Sequence, residues 1–402
     1  MLKGKTVVVG VTGSIAAYKS AQLVSDLVKE GCDVHVVMTK NALNFINPIT
    51  FETLTKNKCL TDTFDRDFEF DVKHISLSQK ADVFIIAPAS ANIIGKMANG
   101  IADDMLTTMV LAASCKIIVA PAMNTYMFKN PIVQENIEKL KNYNFEIISP
   151  AVGRLACNAI GEGKLPDTGI LLSYIKHEIE YEKDLKGKKV LITAGPTVES
   201  IDPVRYITNH STGKMGYAIA EAAVNRGAEV TLVSGPVNIP APIFANIVDI
   251  KSAEDMYNAV SEKIGECDIL IMSAAVADYT PTNVSSEKIK KNDDMSIQLE
   301  RTKDILSFAG NNKKDNQVIC GFSMETQNLI ENSKKKLKSK KCDMIVANNL
   351  KDKGAGFGTD TNVVTIISEN EIENLELMTK KDVAHKIIDK CIDILKSKLL
   401  KY

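Results

Sequence analysis

The sequence predicts an α/β protein of two doubly wound, Rossmann-like domains, and three observations carry that prediction. An apolar strand opens the chain at Thr6 to Val11, followed by a Gly13-Ser14 turn, a helical pattern and a second strand from Val34 to Met38. The same order of events restarts near residue 187: a charged run Lys186 to Lys189, a strand Val190 to Thr193, the turn Gly195-Pro196, a polar loop, a helix and the strand Val230 to Val233. A length of 402 residues also exceeds what one ordinary core takes. A break near residue 185 is therefore expected, giving domains at 1–184 and 185–402.

Bulk composition narrows the class. With 45% hydrophobic and 25% charged residues the chain reads as globular, and a formal charge of −1 leaves no footprint for nucleic acid or an anionic membrane. The longest apolar stretch, Met105 to Met123, is interrupted by Lys116 and Pro121, so no membrane span is expected. Lys3 and Lys5 ahead of Val7 to Ala17 have the makeup of a leader, but Gly10 and Gly13 at turn positions favour a first core strand. Of eight scattered cysteines without a Cys-x-x-Cys pair, most read as reduced core residues of a cytoplasmic protein, and their spacing argues against zinc. There is no tryptophan, so any stacking partner must be Phe or Tyr.

In the first half, the apolar run Thr6 to Val11 suits a strand buried on both faces. Gly13-Ser14 should open a helix with a buried stripe at Ala17, Ala21, Val24, Leu27 and Val28. Its first N–H groups and the Ser14 hydroxyl suit a phosphate, although two glycines after a strand are equally a plain tight turn. The strand Ala81 to Ala87 runs into Pro88-Ala89-Ser90-Ala91-Asn92, where small residues let a flat ligand approach the backbone. Lys116 to Ala120 ends in Pro121-Ala122-Met123-Asn124, with Met127 close behind. Strand C-terminal ends form the ligand crevice of a doubly wound sheet, so these turns should converge. His74 precedes the third strand, and by itself such a histidine is more often a surface or core-edge residue than a catalytic one. Residues 149–167 are glycine-rich and polar around Cys157, the composition of a lid rather than a core. A helix from Ile170 to Tyr181 closes this half.

In the second half, a strand from Ile247 to Ile250 and a helix from Ala253 to Ile264 lead to the apolar strand Ile269 to Ser273. That strand ends in Ala274-Ala275-Val276-Ala277-Asp278. Small residues before an acid suit a nucleotide beside a metal-binding carboxylate, or Asp278 simply caps the next segment. Phe322, after the strand Val318 to Phe322, is a wall for a base. The helix Asn328 to Lys341 carries many lysines. A solvated face explains most, but Lys336 and Lys340 share one face four residues apart and suit phosphate. Strand Met344 to Ala347, the loop Gly354 to Gly358, a hairpin near 363–377 and an amphipathic helix Lys380 to Leu400 complete the chain.

These motifs carry a resemblance. His74, the Pro121 to Asn124 turn with Met127, and the Cys157 lid resemble the flavin-dependent cysteine decarboxylases. Asp202-Pro203-Val204-Arg205 and Ile207 to Gly216 resemble the phosphopantothenate–cysteine ligases. Both halves in this order resemble the bacterial bifunctional coenzyme A biosynthesis family, over nearly the whole chain. The resemblance implies a flavodoxin-like first domain binding FMN through Gly13, Ser14, Thr39, Ser90, Ala91, Asn92 and Met127. Cys157 would be its proton donor, His74 its base or orienting group, and Asn124 its grip on the substrate carboxylate. It implies that the second domain joins 4′-phosphopantothenate to L-cysteine with CTP and Mg²⁺. Lys288 would then lie at the activated carboxylate, Asn209 would secure the acyl intermediate, and Arg205 would meet the substrate phosphate. Nucleotide contacts would come from Ser273, Ala274, Ala275, Asp278 (also the metal ligand), Phe322, Lys336 and Lys340. Thr302-Lys303-Asp304-Ile305 stands where the family has an Asn-Pro-Asp-Ile-like loop and differs at its first two positions; Lys164 replaces a lid arginine. A homo-oligomer with trimeric decarboxylase and dimeric ligase contacts is also implied.

Two other classes fit less well. A nicotinamide oxidoreductase needs Gly-x-Gly-x-x-Gly and an acid after the second strand, where this chain has Met38-Thr39-Lys40. A non-enzymatic flavin-binding regulator predicts loss of His74 or Cys157 and a charged tail. Both residues are present and such a tail is not.

Overall fold

Strands apolar throughout, alternating with one-sided helices, are satisfied by a parallel sheet covered on both faces. The computed structural model describes residues 2–63, 73–154, 160–290, 296–325, 328–349, 356 and 358–400, with the backbone alone at 73, 74, 154, 160, 325 and 349. The chain divides into two compact units, Met1–Tyr181 and Glu182–Tyr402.

In the first unit β1 (Thr6–Val11), β2 (Asp33–Met38), β3 (Val83–Ala89), β4 (Lys116–Pro121) and β5 (Glu146–Ile147) form a parallel sheet in the order β2-β1-β3-β4-β5. That is the flavodoxin-like winding. Residues of β1 and β3 are buried at every position, and alternate side chains feed the two cores: Val7, Val9 and Val11 one, Val8 the other. The first helix starts at Ala17, three residues after Ser14, and buries Ala17, Ser20, Leu23, Val24 and Leu27. Val28 is exposed and Ala21 only partly covered, so the stripe is rotated from the one expected. Ser20 takes an inward place because its hydroxyl donates to Ala87 O at 2.6 Å, which pattern reading cannot foresee. Strand β3 also runs two residues further than expected, taking in Pro88 and Ala89. Residues 149–167, expected to form a lid, contain an antiparallel hairpin of β6 (Ala151–Arg154) and β7 (Ile160–Lys164).

The second unit is built on β8 (Lys189–Ala194). Two short ribbons stand apart from its sheet: β9 (Val198–Ser200) with β10 (Tyr206–Thr208), and β14 (Tyr279–Pro281) with β15 (Leu299–Arg301). The main sheet adds β11 (Glu229–Ser234), β12 (Asn246–Asp249), β13 (Ile269–Met272), β16 (Val318–Glu325), β17 (Met344–Asn349), β18 (Thr361–Ser368) and β19 (Ile372–Thr379). Its order is β12-β11-β8-β13-β16-β17-β18-β19, parallel up to β17 and antiparallel beyond. Counting only the parallel strands, this is the 3-2-1-4-5-6 dinucleotide-type winding with a hairpin added at one edge. Residues 197–208, expected as loop, carry the first ribbon; three-residue strands are too short to show alternation.

Arg226 holds the start of this unit. Its side chain is about nine-tenths buried and bonds both carboxylate oxygens of Asp184 and one of Asp389. Those bonds outweigh burial and keep the Asp184 carboxyl below the usual range. Arg226→Ala should cost about 2 kcal/mol, read from urea unfolding at pH 7, by leaving two carboxylates uncompensated. Because Asp184 is depressed, its contribution is present above about pH 4 and is lost as pH falls through the lowered value. The variant should therefore show a flatter stability profile on acidification.

Candidate active sites

In the first unit the turns after β1, β2, β3 and β4 are drawn to one edge of the sheet. Thr12 makes the central link: its hydroxyl donates to Pro88 O at 2.7 Å and accepts from the Ser90 N–H at 3.0 Å. Gly13-Ser14 and Ser90-Ala91-Asn92 are thereby brought together. Ser90 caps the helix Ala91–Ala98, accepting from Ile93 N–H. Ser14 lies in the turn, its hydroxyl accepting from Ala16 N–H. The space a Cβ on Gly13 would occupy is filled by Asn41, 2.7 Å away. Thr39 follows β2, and its Oγ1 is shielded from solvent with no hydrogen-bond partner among the described residues. An unsatisfied buried hydroxyl costs about 1–3 kcal/mol, so this atom is suited to a bound ligand.

Asn124 caps the short helix Thr125–Phe128, accepting from Tyr126 N–H at 2.8 Å, and Met127 on that helix is half exposed. The hairpin packs on this turn. Met123 N–H donates to Gly163 O at 3.0 Å, and a Cβ on Gly163 (φ +125°) would stand 2.3 Å from Met123 O. Glycine is required there for both conformation and space. Cys157 lies outside the described residues; of its hairpin, β7 meets the Asn124 turn at Gly161 and Gly163. His74 belongs to the helix Lys73–Lys80 ahead of β3, and its side chain also lies outside the described residues.

In the second unit two cavities share a wall. One, of about 480 Å³, is bounded by residues 209–216, Ser273 to Val276, Asp278, Phe322, Lys336 and Asn348. The other, of about 530 Å³, is bounded by Ala274, Val276 to Tyr279, Arg301 to Leu306, Phe322, Lys336 and Lys340. Each is of a size for one small ligand. Ala274, Val276, Asp278, Phe322 and Lys336 face both. Thr193 sets the wall: Ser273 N–H donates to its carbonyl, Ala274 N–H to its hydroxyl, and Ala275 N–H to Gly195 O. Asn209 crosses to it, donating to Ala275 O at 3.0 Å.

On the far side, the Thr302 hydroxyl donates to Ala277 O and Asp304 caps the helix Ile305–Asn312. Burial opposes ionisation of Asp304, but the bound Lys340 ammonium and Ser307 N–H hold its carboxyl below the usual range. Lys336 donates to Phe322 O at 2.8 Å. Lys340 ends the helix Leu329–Ser339 rather than lying within it. Lys303 pairs with Glu254 and lies over the Tyr257 ring, 4.6 Å from its centre. Asp278 is exposed, and no group of three or more His, Cys, Asp or Glu among the described residues is arranged to hold a metal.

Two expected residues stand elsewhere. Lys288 is exposed and lines neither cavity. The Arg205 guanidinium donates to Ile289 O at 2.5 Å and lies 3.4 Å from Asp202. The Asp202 carboxylate is buried and accepts from Val204, Arg205 and Ile289 N–H groups, which with Arg205 outweigh burial and keep it ionised. Thr12, Thr193 and Asp202 carried no assignment in the sequence, although the acid opening a Pro-x-Arg turn was a visible signal for the last.

The family models define a class: a flavoprotein unit followed by a unit of the DNA/pantothenate metabolism flavoprotein C-terminal type. Residues 1–180 match the Flavoprotein family, and 185–395 match the DNA/pantothenate metabolism flavoprotein C-terminal domain. The Coenzyme A biosynthesis bifunctional protein CoaBC of Bacillus subtilis (strain 168) is 47% identical over 96% of this chain and 97% of its own length. That of Borreliella burgdorferi is 44% identical over 96% and 99%. A solved C-terminal domain of such a protein is 45% identical, covering 54% of this chain and all of its own, with a TM-score of 0.47. This chain belongs to the family of coenzyme A biosynthesis bifunctional proteins. It is an enzyme with two activities in that biosynthesis, decarboxylation by the flavoprotein half and cysteine ligation by the other. No helix among the described residues is long and apolar enough to cross a membrane.

Gly163→Ala should release the hairpin from the Asn124 turn, at a cost of about 1–3 kcal/mol. Limited proteolysis within residues 151–164 should then quicken by about tenfold or more, with the rest of the unit cut as before.

Proposed function

We propose that the second unit acts first, coupling 4′-phosphopantothenate to L-cysteine with CTP, and that the first unit then decarboxylates the product to 4′-phosphopantetheine. The order follows from the chemistry, since the carboxylate lost is that of the cysteine just joined; the observation that carries the ligation itself is the shared wall of the two cavities. A nucleotide and an acyl donor held one on each side would meet at Ala274, Asp278, Phe322 and Lys336.

A carboxylate is a poor electrophile. Attack of its oxygen on the α-phosphorus of CTP releases pyrophosphate and leaves an acyl-cytidylate, whose carbonyl the cysteine amine then attacks, with CMP departing. Thr302, Lys303, Asp304 and Ile305 with Phe322 would frame the base. Ser273, Ala274 and Ala275 offer backbone groups, and Lys336 and Lys340 supply positive charge for the phosphates. Lys288 would neutralise charge on the mixed anhydride, and Asn209 would retain it for the amine. Arg205 remains the candidate for the substrate phosphate. Mg²⁺ fits as an ion held chiefly by nucleotide phosphates and water with Asp278 as its single carboxylate, since no protein cage is present among the described residues.

The new cysteinyl carboxylate has no neighbouring electron sink. FMN, when bound, would supply that sink as a two-electron oxidant of the carbon bearing sulfur that is regenerated within the turnover, so that no external redox partner is needed. The residues present fit that cofactor: small side chains at Ser90, Ala91 and Asn92, the Gly13-Ser14 turn, Met127, and the unsatisfied Thr39 hydroxyl. Asn124 would orient the departing carboxylate, His74 would take the thiol proton, and Cys157 would donate the proton that completes the product. Trimeric contacts in the first unit and dimeric contacts in the second, in a cytoplasmic homo-oligomer, complete the reading.

Purified protein should be yellow and, given phosphopantothenate, cysteine, CTP and Mg²⁺, should release pyrophosphate and then CO₂. Cys157→Ser should keep ligation and lose decarboxylation by about 100-fold or more; full-rate CO₂ release would remove Cys157 as donor. Lys288→Gln should stop pyrophosphate release while flavin stays bound. Thr39→Val, which removes only the orphan hydroxyl, should weaken flavin retention by about tenfold in a dilution and filtration assay.

A further inference from the structure

Lys288 poses a problem that the fold answers. A lysine that must meet a transient anhydride sits on an exposed segment, away from both cavity walls. A four-carbon side chain on a freely moving backbone would give up much of its worth as a charge partner to ordering entropy. The segment is not free. Ser285 N–H donates to Ile201 O at 3.0 Å, and the Ser285 hydroxyl closes a local turn on Glu287 O at 2.6 Å. One residue past Lys288, Ile289 is held at both backbone groups: its N–H donates to Asp202 Oδ2 at 3.2 Å, and its carbonyl accepts from Arg205 at 2.5 Å. Asp202 is in turn fixed by Val204 and Arg205 N–H groups on its other oxygen, at 2.8 and 2.7 Å, with its side chain fully shielded from solvent.

We propose that Asp202 is a positioning residue of the ligase half: with Arg205 it clamps the backbone of Ile289 and so presents Lys288 to the activated carboxylate. A buried, charged carboxylate satisfied by three backbone donors is a rigid anchor, whereas a surface ion pair would not fix a loop. The assignment gives Arg205 a task within its own chain in addition to any phosphate contact. It rests on the reading of Lys288 given above.

The test is hydrogen exchange at the Ile289 amide, set beside steady-state pyrophosphate release, in the full-length protein. Asp202→Asn cannot satisfy Ile289 and the 204–205 turn together, because one carboxylate oxygen becomes a donor. Ile289 exchange should rise tenfold or more while amides of β8 and β13 stay protected. The kcat for pyrophosphate release should fall tenfold or more, with KM for CTP within twofold. Arg205→Lys, which keeps the charge and the fold but loses the forked reach, should show the same split to a smaller degree. Unchanged Ile289 exchange in Asp202→Asn would overturn the clamp even with Lys288→Gln inactive. Faster exchange with undiminished kcat would overturn the positioning role. An active Lys288→Gln would remove the reading of Lys288, and the positioning role with it.

Discussion

Both units depend on one constraint of parallel sheets: where the strand order reverses, the turns leaving neighbouring strands part to opposite faces and open a gap whose backbone groups must be satisfied. A threonine hydroxyl meets that need in each unit. Thr12, one residue past β1, bridges to Pro88 O and Ser90 N–H across the gap between β1 and β3. Thr193, near the end of β8, accepts from Ala274 N–H across the gap between β8 and β13. A hydroxyl can donate and accept at once while remaining small, so the gap is stitched without being filled. What stays open is the ligand crevice.

The two crevices are finished differently. In the first unit a hairpin is brought against the Asn124 turn, and close backbone approach at Gly163 makes the contact possible. In the second unit polar arms extend from the same strand ends: the β9–β10 ribbon with the Asn209 loop, and the segment from β14 to β15 that carries Lys288. Asp202 and Arg205 join one arm to the other. The first crevice is thus bordered by a hairpin, and the second by two arms tied to each other.

Buried charge is used sparingly and always with compensation. Arg226 is matched by Asp184 and Asp389, and Asp202 by three backbone donors. Burial pushes the Cys59 and Cys267 thiols up to about 12, which suits packing residues rather than nucleophiles.

The sequence by itself marked the doubly wound α/β class and the main strands of both units, because strands apolar at every position are local signals. It also marked Asn209, Ala274, Ala275, Phe322 and Lys336, which the fold gathers around one pair of cavities. Tertiary structure alone decided the rotation of the first helix, where Ser20 faces inward to bond Ala87 O, and the two short ribbons, whose three-residue strands carry no periodicity. It alone revealed what Thr12, Thr193 and Asp202 bond, in each case a residue 76 to 87 positions away. Such partners are set by how strands stack in space, and no window along the chain contains both ends of the bond.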